Sequence, residues 1–290
     1  MVMSQTRIGA SMAVAAMVSV QTGAAISVLL IDRVGVEGAA WVRLAWAGLL
    51  MLAIVRPRPA DFTWRSFRLC VLLGAVTSGI TLLFMEALAR IPLGTASAVE
   101  FLGPLAVAMA RGTGRGRLLW PGLAAGGVLL LTQPWAGEVD TVGVLYALGS
   151  AVCWGVYILL TQRAGDEVSG INALAVSMPV AAVVATLTVG HIALPRMTPE
   201  MLMIGAGVAI LLPVVPFALE LMALRRLTAA AFGTLMALEP AMAMVLGLLM
   251  LHQVPSVVGV VGMCCVVSAG MGAARTGART PPAVPADVGA

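Results

Sequence analysis

Four glutamates, Glu86, Glu100, Glu220 and Glu239, sit inside stretches of otherwise apolar sequence. A carboxylate turned to lipid costs roughly 2.5 to more than 10 kcal/mol at mid-bilayer, so such groups face a bundle interior or a water-filled path. There a carboxylate can hold a substrate ammonium, hold a proton, or hydrogen-bond a neighbouring helix. At about 1.5 Å per helical residue, Glu100 and Glu239 fall near mid-stretch, whereas Glu86 and Glu220 fall near the ends. Glu100 precedes Pro104 by four residues and Glu239 directly precedes Pro240. Proline lacks an N–H and loosens the turn before it. Arg43 is the arginine set clearly within an apolar stretch. Its guanidinium suits a substrate carboxylate, but also an ion pair with Glu86 or Glu100, or snorkelling along its own stem. Gln21 and Thr22 interrupt the first stretch, and Trp154 and Tyr157 share one helical face at i,i+3.

Those residues need elements that cross a membrane. The chain is 60% hydrophobic and 10% charged, with a mean hydropathy of +1.02, which excludes an ordinary soluble domain. Its apolar stretches are each about 20 residues long, enough to cross roughly 30 Å of hydrocarbon as helix. Ten are predicted: 8–30, 36–55, 69–89, 93–110, 118–136, 141–161, 170–191, 201–224, 229–250 and 254–274. The first runs too far to be a signal-peptide core. All 17 basic side chains are arginine. With the N-terminus inside, only Arg33, Arg43, Arg90 and Arg196 fall outside cytoplasmic segments, a positive-inside pattern that puts both termini in the cytoplasm. These charges flank helices and form no basic surface, which argues against a nucleic-acid partner. Cys70, Cys153, Cys264 and Cys265 read as small hydrophobes, and His191 and His252 as solvated span ends. Without lysine there is no phosphate-loop signature. No catalytic set or metal cluster can be assembled, so neither an enzyme nor a resident cofactor is expected.

The chain also repeats itself. A shift of 136 lays Ala87-Leu88-Ala89-Arg90 over Ala223-Leu224-Arg225-Arg226, and Leu102-Gly103-Pro104 over Leu238-Glu239-Pro240. Five spans per half is odd, so residues 137–274 enter the membrane opposite to residues 1–136. Inverted repeats of this kind place a solute site near mid-membrane between the halves. Gly103, Pro104, Gly233 and Pro240 are candidate hinges, and Pro213 and Pro216 punctuate the eighth stretch. Residues 275–290, rich in proline and small residues, are expected to be a disordered cytoplasmic tail.

Four stretches carry a resemblance. They are Ser19-Val20-Gln21-Thr22-Gly23; Pro92-Leu93-Gly94 through Glu100-Phe101-Leu102-Gly103-Pro104-Leu105; Cys153-Trp154-Gly155-Val156-Tyr157-Ile158-Leu159 continuing to Gln162-Arg163-Ala164-Gly165; and Phe232-Gly233-Thr234-Leu235-Met236 running into Glu239-Pro240-Ala241. The chain resembles the drug/metabolite transporter superfamily in its two-repeat bacterial exporter branch (EamA type), and within it the threonine/homoserine exporters. The resemblance implies alternating-access export of small amino acids across the inner membrane. Gln21, Arg43, Glu100, Trp154, Tyr157, Glu220 and Glu239 fall on matching positions, whereas Glu86 departs from the pattern. Another metabolite or a lipophilic cationic drug remains an alternative solute, with a non-transporting scaffold more remote. The composition leaves proton coupling and oligomeric state open.

Overall fold

The computed structural model describes residues 2–58, 60, 62–111, 119–133, 140–165, 170–224, 226–227 and 229–276. Among them there is no β-strand. The chain runs through α1 (Val2–Val55), α2 (Trp64–Leu88), α3 (Leu93–Glu100), α4 (Leu102–Arg111), α5 (Leu119–Thr132), α6 (Thr141–Gly165), α7 (Gly170–Ala193), α8 (Pro199–Ala209), α9 (Val215–Leu224), α10 (Ala229–Met236), α11 (Glu239–Leu251) and α12 (Val257–Thr276). The tail from residue 277 lies outside the described residues, as do Arg115, Arg117, Arg225 and Arg279.

By length and composition, five helical stretches can cross a membrane: Gln5–Val55, Trp64–Leu88, Thr141–Thr161, Asn172–Arg196 and Thr234–Leu251. Leu93–Val107, Leu119–Thr132, Pro199–Leu212 and Val257–Ala273 are apolar but shorter.

The breaks in these helices have local causes. α1 is interrupted at Gly35, whose φ of 77° and ψ of 171° leave the helical region. A side chain is disfavoured there, and the Arg196 guanidinium occupies the space a Cβ would need. Arg196 donates to the Val34 carbonyl at 3.5 Å and faces Glu37 at 3.5 Å. Val20 and Met51, on opposite sides of the break, line one cavity, so the two arms of α1 run side by side. α3 and α4 part at Phe101, and α10 and α11 at Ala237–Leu238. Between α8 and α9 the helix widens into a π-turn over Ile210–Val214, with Leu212 at φ −156° and ψ 97°. Ser19 Oγ donates to the Leu211 carbonyl at 2.8 Å, which satisfies part of the backbone freed by that turn.

Packing depends on small residues. α5 crosses α12 where Gly127 meets Gly262; a Cβ on either would lie 2.6 Å from the other's carbonyl oxygen. Close approach of this kind is how helices associate when lipid supplies no hydrophobic drive between them. The outer faces are apolar instead, with Leu187 78% and Val152 67% exposed. Cys264 also faces outward while Cys70 is buried; lipid accepts a thiol as readily as a core does.

One end of the bundle is ionic. Arg90 pairs with Asp140 at 3.3 Å and, one turn back, with Glu86 at 4.0 Å. Its guanidinium lies 5.7 Å from the centre of the Tyr146 ring. Arg33 meets Glu200 at 3.2 Å, and the Glu37–Arg196 pair lies within electrostatic reach of Glu86. Asp140 also caps α6, accepting from the Val142 amide at 2.8 Å and the Gly143 amide at 3.1 Å. The Gly143 bond foremost, with Arg90 and Val142 adding to it, holds the Asp140 carboxyl below the usual carboxylate range.

Candidate functional site

A cavity of about 520 Å³ opens among α1, α2, α4, α6, α7, α9, α10, α11 and the two breaks at Phe101 and Leu212. Of the residues singled out from sequence, Trp154, Tyr157, Glu220, Glu239 and Pro104 line it. Thr161, Met51 and Leu174 are also in its wall, so it lies toward the end of the bundle opposite the ion pairs. The face that Trp154 and Tyr157 share by their spacing is turned to the cavity, and the Tyr157 hydroxyl lies within hydrogen-bonding reach of Thr161 one turn on.

The two mid-stretch glutamates occupy different surroundings. Glu239 opens α11, with Pro240 at the next position. A carboxylate in a first turn meets the positive end of the helix dipole. Gln21 Nε2 donates to Glu239 Oε1 at 3.4 Å, a long bond. Gln21 itself is 3% exposed, and among the described residues its Oε1 has no hydrogen-bond partner. Glu220 stands within electrostatic reach of both Glu239 and Tyr157. Thr22 is half-buried beside Gln21 and does not reach the cavity.

Glu100 closes α3 and is not in the cavity wall. It accepts from Ser150 Oγ at 2.5 Å, and Arg43 faces it within electrostatic reach. Arg43 donates to Thr81 Oγ1 at 3.2 Å. Arg43 thus lies within electrostatic reach of Glu100, but its hydrogen bond goes to Thr81. Glu86 pairs with Arg90 at the ionic end instead.

The candidate hinges lie at the breaks. Gly103 packs directly on the Ala151 carbonyl of α6, leaving no space for a side chain. Gly233 lies within α10, and Pro104 and Pro240 follow the two interruptions. Ser150, Thr81 and Ser19 are buried polar groups to which the sequence assigned no partner. A lone hydroxyl in an apolar stretch carries no signal until its partner is known. Two other hollows were found. One is a surface depression beside Arg58 and Trp64; the other is an apolar groove between α4 and α6 with no titratable group in its wall.

Interrupted apolar helices around a carboxylate-bearing cavity define a membrane transporter, a protein that binds and moves a solute and transforms nothing. A family model described as the EamA-like transporter family matches residues 141–272. The Threonine/homoserine exporter RhtA of Salmonella typhimurium (strain LT2) is 34% identical over 282 residues, covering 94% of this chain and 93% of that protein. Its counterpart in Escherichia coli (strain K12) is 33% identical over 270 residues, covering 90% and 89%. The chain therefore belongs to the EamA-like transporter family, within the drug/metabolite transporter superfamily, and is a multi-pass membrane protein. A solved crystal structure shares the fold at a TM-score of 0.57 and 18% identity, covering 93% of this chain and 97% of that one.

Proposed function

We propose that this protein exports small amino acids, threonine and homoserine foremost, across the bacterial inner membrane by alternating access. The observation that carries the reading is the likeness, over nearly the whole chain, to proteins named threonine/homoserine exporters. The cavity adds chemistry to it: Glu239 and Glu220 receive the substrate ammonium, and Trp154 and Tyr157 bound its side chain.

The transport path is built from ten spans in two inverted halves, 1–136 and 137–274, with both termini cytoplasmic. Supporting the repeat, Leu93–Glu100 and Ala229–Met236 are offset by 136 at both ends. The turns before them share a pattern at that offset. The Ala87 carbonyl accepts from the Arg90 and Ile91 amides, and the Ala223 carbonyl from the Arg226 and Leu227 amides, each at 2.9 Å. Gly103, Pro104, Gly233 and Pro240 flex where each half is broken. Gln21 holds the first arm of α1 against Glu239 with Thr22 beside it, while Arg43 bonded to Thr81 ties α1 to α2 and Glu100 bonded to Ser150 ties α3 to α6.

Counterflow of labelled threonine in proteoliposomes tests this. Saturable uptake, competed by unlabelled homoserine and threonine, is the expected result. No uptake by protein verified as folded would overturn it.

A further inference from the structure

We infer that the cavity also takes primary amines that lack a carboxylate, such as the amino alcohols corresponding to decarboxylated amino acids. This rests on the reading of the cavity as the transport site. Two carboxylates, Glu220 and Glu239, stand in its wall within electrostatic reach of each other. Behind Glu239, and not itself in the wall, is a third acceptor. Gln21 spends its amide nitrogen on Glu239, so the amide oxygen, on the same carbon, sits next to that carboxylate. It is buried and has no partner among the described residues. An ammonium carries three donors and no acceptor, which suits acceptors gathered in this way. Phe101, Trp154 and Tyr157 add aromatic faces to the same wall, and such faces attract a cation.

The opposite charge is matched elsewhere. Arg43, the guanidinium within the bundle, donates to Thr81 and faces Glu100, and neither Arg43 nor Glu100 is in the wall. No arginine stands among the described lining residues. The Tyr157 and Thr161 hydroxyls lie within hydrogen-bonding reach of each other, which leaves at most one of their two hydrogens for a substrate carboxylate. The site thus recognises the ammonium strongly, and the carboxylate of an amino acid adds little to binding.

The experiment uses the full chain in proteoliposomes, with protein-free vesicles correcting for leak. Three probes compete against labelled threonine: unlabelled threonine, 1-amino-2-propanol (threonine without its carboxylate) and N-acetylthreonine (threonine without its ammonium). Labelled 1-amino-2-propanol is also followed directly in counterflow. The expected result is half-inhibition by 1-amino-2-propanol at a concentration no higher than threonine needs. N-acetylthreonine should need at least tenfold more. Glu239→Gln should slow amine counterflow at least tenfold, and Gln21→Met, which keeps the volume, should raise the half-saturating amine concentration severalfold.

If threonine is carried and the amine neither competes nor crosses, the inference falls while the amino-acid reading stands. If the amine is carried and threonine is not, the reverse holds. If folded protein carries neither, both fall. Amine counterflow unchanged in both variants would overturn the placement of the site.

Discussion

Arg43 and Glu100 are each 8% exposed and face one another inside the bundle. Removing one of two opposite charges buried within electrostatic reach leaves the other less compensated and is destabilising, whereas replacing both with apolar or neutral groups is far milder. Arg43→Met should therefore lower thermal stability in detergent sharply. Arg43→Met with Glu100→Gln should recover most of the loss, as read from melting of the purified variants. Glu239 behaves differently because it borders open space and its amide partner is held at 3.4 Å. Glu239→Gln should keep the melting temperature while threonine counterflow falls at least tenfold, equivalent to about 1.4 kcal/mol. A parallel loss of both would mark Glu239 as a structural group.

Several helices begin on short polar contacts, and the one at Asp140 titrates. Asp140 caps α6 and grips Arg90 on the turn after α2. Its carboxyl is held below the ordinary range in the folded protein, so its contribution is present above the unfolded value of about 3.9. That contribution is lost as pH falls through the lower folded value. Between pH 7 and pH 3 the wild type should lose more melting temperature than Asp140→Asn, which begins lower and changes less. Gly35→Ala should destabilise by about 1 kcal/mol or more, because the backbone there is left-handed and Arg196 fills the Cβ site. Much of this level was legible in the sequence. Hydropathy located the helical stretches, the prolines near Glu100 and Glu239 marked the helices that break, and the i,i+3 spacing put Trp154 and Tyr157 on one helical face. Partnerships between distant stretches were not legible. Ser150 with Glu100 and Thr81 with Arg43 are 50 and 38 residues apart, and side-chain periodicity reports only which face of its own helix a residue occupies. For the same reason the sequence left Arg43 open between a substrate carboxylate and a carboxylate of its own bundle, and it could not tell that Glu100 stands outside the cavity wall.

At the scale of the molecule, the pairs Arg33–Glu200, Arg90–Asp140 and Glu37–Arg196 lie at one end and the cavity approaches the other. Arg33–Glu200 and Arg90–Asp140 tie residues before 136 to residues after it, although exposed pairs of this kind contribute only about 0–1 kcal/mol each. An exchange of access between the two ends is therefore not opposed by a large ionic barrier. In a cysteine-free background, Thr161→Cys should react with a membrane-impermeant maleimide faster in inside-out than in right-side-out vesicles. Excess threonine should slow that reaction. Equal rates from both sides would contradict the orientation with cytoplasmic termini. The crossing of α5 and α12 at Gly127 and Gly262 has a bearing on descent. Each glycine is backed by the other's carbonyl, so a first mutation at either position is harmful whatever the second position later becomes. A lineage cannot step from this pair to a larger one through a fit intermediate, and the crossing should outlast changes in the solute carried.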